Sequence, residues 1–158
     1  MLRVATLVLC SIFLAGCFGG GTPIMKVVEV RPESVTPEGR RFVIVVDAEN
    51  PSDKPLPLKD ATYSLSIDGK KVFEGQRSPE STLRKFSTNR LYFPVAVPSS
   101  VNLAGRAEFR ANGNVVFLRP GKLNEILYEY GLVRPSTGFN GAGQIDLNQT
   151  SSPVSMAN

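Results

Sequence analysis

The sequence predicts an all-β domain, an antiparallel β-sandwich of about seven or eight strands with one short inserted helix near residues 122–130. Three observations carry this. Apolar and polar residues alternate over short runs at 61–67, 91–97 and 105–111, the period of half-buried strands. Asp68-Gly69 and Asn112-Gly113 stand beside such runs, and both pairs tolerate the positive φ of two-residue hairpin turns. The 12 Pro and 14 Gly fall between the apolar runs, which favours short elements joined by turns over long helices.

Taken in order, residues 26–31 (KVVEVR) read as a short strand stopped at Pro32, and 34–39 as a loop. Residues 41–49 (RFVIVVDAE) form the strongest strand. Phe42, Ile44, Val46 and Ala48 share one face while Val43 and Val45 share the other, so its middle is expected to be covered on both sides. Asn50-Pro51 ends it, and the proline-rich stretch to Pro57 is expected to be irregular. Strand 61–67 then turns at Asp68-Gly69 into a return strand over 70–74. Residues 77–86 read as polar linker. Strand 91–97 contains Pro94, which argues for an edge or a bulge. Strand 105–111, a second hairpin at Asn112-Gly113 and a strand over 115–118 follow.

Leu123, Ile126, Leu127 and Tyr130 break the alternation with helical spacing, and Gly131 stands where a helix would stop. The stripe is expected to pack on the core, the alternative being a docking site for another protein. A last strand over 143–147 precedes a polar tail.

The chain has 158 residues, enough for one domain with a core. Residues 1–16 read as a signal peptide: Arg3 precedes an apolar stretch shorter than the ~20 residues that span a bilayer. The stretch ends in Leu14-Ala15-Gly16-Cys17, which resembles the lipobox of bacterial lipoprotein precursors. The resemblance implies that Leu14, Ala15 and Gly16 are recognised by a dedicated signal peptidase. It implies a diacylglycerol on the Cys17 thiol and a further acyl group, such as palmitate, on the new amine. Several acyl chains anchor stably where one is marginal. Residues 17–25 form the lipidated start and a Gly-rich tether, 26–147 the sandwich domain, and 148–158 a disordered tail. Phe18 is not the aspartate that often signals inner-membrane retention in Gram-negative lipoproteins. The protein is therefore expected to be exported and anchored to the cell envelope, with the outer membrane favoured if the source is Gram-negative.

Several chemistries find no support. The chain holds no histidine, the commonest general base and metal ligand. Cys10 leaves with the signal peptide and Cys17 is acylated, so no mature thiol serves catalysis or zinc. Asp47 and Glu49 share a strand face as a carboxylate pair, but beside a turn they read as solvated residues. Gly138, Gly141 and Gly143 have the wrong order for a dinucleotide fingerprint and read as a flexible loop. Arg40-Arg41, Lys70-Lys71 and Arg84-Lys85 are scattered and lack the aromatic interleaving of nucleic-acid binders. Asn148-Gln149-Thr150 is a glycosylation sequon by pattern alone. The formal charge of +4, or +3 without Arg3, suits weak attraction to anionic surfaces. The expectation is a protein that is not an enzyme, with no catalytic residues, metal, small-molecule cofactor or nucleic-acid partner.

An ordered series of motifs adds to this reading. A hydrophobic strand ends in Asn50-Pro51. Then come Ala61-Thr-Tyr-Ser-Leu-Ser-Ile-Asp-Gly69, Val72-Phe-Glu-Gly75, Leu91-Tyr-Phe-Pro-Val-Ala-Val97 and Gly143-Gln-Ile-Asp-Leu147. The series resembles the late embryogenesis abundant (LEA) type 2 group, also called the water stress and hypersensitive response domain. It departs from the family's frequent Asn-Pro-Asn at Ser52, in the segment 77–84 and in the helix. The resemblance implies an immunoglobulin-like or fibronectin-III-like sandwich and an association with water stress. It transfers no catalytic residue. Asn50 and Pro51 are the motif positions, read as shaping a turn, with a recognition surface as the alternative. Two functions follow as expectations. One is a lipid-anchored domain protecting envelope proteins or membrane from desiccation through weak contacts. The other is a specific binding or assembly module of an envelope, secretion or transport complex.

Overall fold

Phe42 to Val46 is an unbroken apolar run, and it becomes the middle of a strand buried on both faces: Phe42, Ile44 and Val46 are inaccessible, Val43 and Val45 nearly so. The computed structural model describes residues 21–148. Around this strand the chain forms β1 (Ile24–Thr36), β2 (Gly39–Asn50), β3 (Leu56–Ile67), β4 (Lys70–Arg77), β5 (Thr82–Leu83), β6 (Ser87–Pro98), β7 (Arg106–Phe117), a helix α1 (Lys122–Glu129) and β8 (Ser136–Asp146). The signal peptide 1–16 with Leu14, Ala15 and Gly16, the lipidation residue Cys17, and the tail from 149 onward lie outside the described residues.

The strands form two antiparallel sheets, one ordered β1-β2-β6 and the other β4-β3-β7-β8, with the short β5 paired to the start of β3. Chain crossings between the sheets follow β2, β5 and β6, which gives the expected sandwich. β1 packs beside β8 along one seam and β4 beside β6 along the other. The inner faces meet in one core that includes Phe42, Ile44, Leu65, Phe93, Val95, Val115 and Phe117. Tyr63 spans it. Its ring lies 5.5 Å from that of Phe73 and 5.1 Å from that of Phe93, and its hydroxyl donates to the Pro94 carbonyl at 2.7 Å. Burial raises the phenol's pKa above its ordinary value and keeps it a donor.

The two prolines within strands sit where a proline is tolerated. Pro94 is on β6, an edge of the three-stranded sheet. Pro32 does not stop β1, as its residue type suggested. β1 is the opposite edge, and the strand continues to Thr36 through irregularities at Val27/Glu29 and Pro32/Ser34. The start of the sandwich also moves. Ile24 and Met25, assigned to the tether, already pair with Glu49 and Ala48.

Other expectations change for local physical reasons. Asp68-Gly69 is a hairpin turn as expected, with φ of 48° and 75° and Ile67 paired to Lys70. Asn112-Gly113 is not a turn: β7 runs straight through it, Gly113 pairing with Tyr63 on one side and Phe139 on the other. Glycine is required there because a Cβ would lie 2.2 Å from Cζ of Phe139. The glycines at 138, 141 and 143 are likewise not a loop but part of β8. A Cβ at Gly141 would lie 2.5 Å from Val27 Cβ, so its absence allows β8 to close on β1. β3 begins at Leu56, not 61, because Leu56 and Leu58 are core residues. The polar linker 77–86 contains β5, and its Leu83 is fully buried.

Candidate functional site

Asn50, where β2 ends, is the one buried polar side chain among the described residues, with no exposed surface. Burial of an amide is costly unless each of its groups is partnered. Its Nδ2 donates to the carbonyls of Lys54 at 2.7 Å, Arg84 at 3.0 Å and Leu83 at 3.3 Å. Its Oδ1 accepts from the Ser52 amide at 2.9 Å and lies 2.7 Å from the Ser52 hydroxyl. That hydroxyl also lies 2.9 Å from the Lys54 carbonyl. Ser52, the departure from Asn-Pro-Asn, therefore helps to close the loop itself. Asn50 ends β2 and ties residues 51–55 to the backbone at Leu83 and Arg84. The Phe86 amide adds a bond to the Ser52 carbonyl at 3.1 Å.

This node lies at one end of the sandwich. β1, β3, β6 and β8 begin there and β2 and β7 finish there. Thr137 Oγ1 donates to the Pro23 carbonyl at 3.0 Å, joining the start of β8 to the chain entering β1. Gly21 sits against Ser52, where an added Cβ would come within 2.5 Å of the serine Cβ. The chain thus enters the domain beside the Asn50 loop.

The helix belongs to the same end, in the connection from β7 to β8. The Leu118 amide donates to the Pro57 carbonyl at 2.9 Å, and the Phe117 amide to Pro135 at 3.0 Å, closing the neck of the excursion. Gly131, with φ of 70°, stops the helix as expected. The stripe, however, is not core. No residue of α1 is buried, and Leu123 and Tyr130 are 69% and 76% exposed. Spacing sets which residues share a face, and it cannot say what that face meets. Leu132 and Val133 continue the exposed apolar surface.

Phe86 is also exposed, at 70%, and has φ of 48°. A bulky residue in the left-handed region is strained. Nothing in the composition of 77–86 indicated it.

The remaining polar candidates are occupied or open. Asp47 receives Nε and Nη2 of Arg90 at 2.8 and 3.2 Å, and this hydrogen-bonded guanidinium holds its carboxyl below the usual value despite some desolvation. It is committed to an ion pair rather than acting as half of a carboxylate pair with Glu49. No group of three or more acidic, Cys or His side chains could hold a metal among the described residues. A shallow depression of about 500 Å³ is lined by residues of β3, β7 and β8 and the Asp68-Gly69 turn, among them Ser66, Glu108, Phe109, Arg110 and Gln144. Among the described residues no helix is long and apolar enough to cross a membrane.

Comparison with known proteins places these features. A family model described as late embryogenesis abundant protein matches residues 45–117, from the middle of β2 to the end of β7. The desiccation protectant protein Lea14 homolog of Glycine max is 27% identical over 93 residues, covering 59% of this chain and 61% of that protein. The match thus spans under two thirds of the relative's length. A solution structure from Arabidopsis thaliana superposes with a TM-score of 0.65 at 17% identity, over 85% of this chain and 89% of the other. A solution structure of a late embryogenesis abundant protein gives 0.62 at 18% identity, over 92% and 86%. A crystal structure from Archaeoglobus fulgidus gives 0.54 at 14% identity, over 78% and 97%. At these identities the structures attest the fold.

Proposed function

We propose that this protein, whose β-sandwich belongs to the late embryogenesis abundant type 2 family, is a non-catalytic, lipid-anchored protectant of envelope proteins or membrane during water stress. The observation that carries the reading is the match over 93 residues to a soybean protein named a desiccation protectant. Cys17 within Leu14-Ala15-Gly16-Cys17 supplies the anchor, with the outer membrane favoured by Phe18 if the source is Gram-negative. Protection in this reading comes from weak, broad contacts with protein and membrane surfaces. No cofactor, metal or nucleic acid enters it.

The test is recovery of a drying-sensitive enzyme after desiccation and after freeze–thaw, with the domain from Gly19 onward added and an inert β-sandwich of equal mass as control. Recovery well above control at modest molar ratio supports protection. Recovery equal to control, together with one dominant partner in envelope crosslinking, would replace it by a specific binding or assembly module of an envelope, secretion or transport complex. The anchor is tested separately: Cys17→Ser should accumulate as unlipidated, uncleaved precursor, and normal maturation of that variant would refute it.

A further inference from the structure

We propose that the end of the sandwich carrying α1 and Phe86 docks on an anionic lipid bilayer, its apolar side chains entering the headgroup boundary. The proposal rests on the anchoring reading for its geometry and adds a surface to it.

Of the ten large apolar side chains most exposed among the described residues, seven lie at this end: Ile24, Phe86, Leu123, Ile126, Tyr130, Leu132 and Val133. The opposite end has Val35 alone. An apolar concentration of this kind on one end marks an interaction site. What covers it follows from where the chain leaves. The described residues begin at Gly21, against Ser52 at this same end, and Cys17 is four residues earlier. Even fully extended, that stretch reaches only about 14 Å. An acyl group on Cys17, or an uncleaved apolar segment before it, would hold this end of the domain against the bilayer.

Charge agrees. The connections here carry Lys54, Arg84, Lys85, Arg119, Lys122 and Arg134 against Asp53, Glu80, Glu125 and Glu129. The turns at the far end contribute Glu38 and Asp68, with Arg40, Arg41, Lys70, Lys71 and Arg106 on the strand ends beside them, but there the cations border little exposed apolar surface. Cations around an apolar face suit anionic headgroups. α1 has eight residues, so it would lie along the surface rather than cross it. Phe86 supplies the independent geometric sign. The backbone holds a phenylalanine in the left-handed region, its amide on the Ser52 carbonyl, and leaves its ring in water, where the domain gains nothing from its apolar surface.

The chain contains no tryptophan, so a single one can serve as reporter. Full-length Ile126→Trp, Phe86→Trp and, at the far end, Val35→Trp are reconstituted in vesicles of phosphatidylcholine and phosphatidylglycerol with or without brominated acyl chains. The first two should shift their emission to the blue. They should also lose about half their emission or more to bromine, since docked side chains enter ~5–10 Å into the boundary. Val35→Trp should not respond. Arg84→Glu with Lys85→Glu should weaken the quenching at position 126. Mass spectrometry of the N-terminal peptide reports lipidation of Cys17, and the set is repeated with Cys17→Ser, held by its uncleaved apolar segment. Quenching in both forms, or in the lipidated form alone, supports docking. A missing lipid with quenching retained overturns only the lipid anchor. Unquenched reporters at 86 and 126 in both forms overturn the docking surface, as does a blue-shifted reporter at 126 in detergent that sedimentation traces to a dimer.

Discussion

The two ends of this sandwich are built by different means. At the far end two of the three connections turn tightly, β1 into β2 at residues 37–38 and β3 into β4 at Asp68-Gly69, and the third, 99–105 between β6 and β7, is tied back at both of its ends. This end is held by backbone bonds such as Ser99 to Glu38 at 2.9 Å and Leu147 to Gly105 at 2.9 Å, and by Arg40 Nη1 on the Leu147 carbonyl at 2.7 Å. At the near end long connections converge on one buried side chain, Asn50, beside an exposed helix and a strained aromatic. Short turns fix a register with local bonds, so that end needs no buried polar side chain to hold it. Long connections need a shared internal anchor, and once anchored they can present side chains that the fold itself does not require.

The contrast breaks first at Asn50. Asn50→Ala should cost roughly 3 kcal/mol in denaturant unfolding, because several buried backbone groups lose a partner worth about 1–3 kcal/mol each. Amide exchange should rise at Ser52, Leu83 and Phe86 before it rises in β2. Asn50→Asp should be no better, since a carboxylate would face the carbonyls of Lys54, Leu83 and Arg84. Stability unchanged in both variants would remove the asparagine as the organiser of that end.

The next pair of substitutions has opposite signs. Gly69→Ala places a side chain at φ of 75° in the far-end hairpin and should destabilise by about 1 kcal/mol. Phe86→Gly relieves the same kind of strain at φ of 48° where the ring packs little, so it should stabilise by up to ~1 kcal/mol even as it removes an apolar contact for lipid. Thermal melts of the two variants read the difference. A loss of stability in Phe86→Gly would mean that its ring has a structural role.

The smallest effect is that of Asp47. Its folded pKa is depressed, chiefly by the hydrogen-bonded Arg90, so the pair stabilises the protein above the carboxyl's ordinary value of 3.8. That contribution disappears as pH falls through the lowered value. Asp47→Asn should therefore barely change stability at low pH and lower it slightly at neutral pH, with salt shrinking the difference. An equal change at both pH values would assign the effect to something other than charge.

The strands were legible wherever side-chain alternation records a half-buried sheet, as at 61–67 and 91–97, and so were the Asp68-Gly69 turn and the edge position of Pro94. Legibility failed where one residue type answers to two demands. Glycine beside asparagine at 112–113 offers a turn as well as room for the Phe139 ring, and only the partner strand decides between them. The glycines of β8 and the lone Leu83 of β5 have the same ambiguity, since their neighbours are distant in sequence. At the candidate site, the helical stripe announced a shared face while concealing that it points outward. Asn50-Pro51 announced a turn while concealing the three carbonyls that the amide collects.

The edge strands carry a final consequence. β1 has Pro32 and two irregularities of register, β6 has Pro94, and β4 opens with Lys70 and Lys71 beside a shift at Leu65/Ser66. Such features keep strand edges from zipping onto other chains. As water is withdrawn, every solute is concentrated and uncapped edges become seeds for amyloid. Three of the four sheet edges of this sandwich thus carry features that oppose pairing with another copy as the protein is concentrated, and the fourth, β8, lies beside β1.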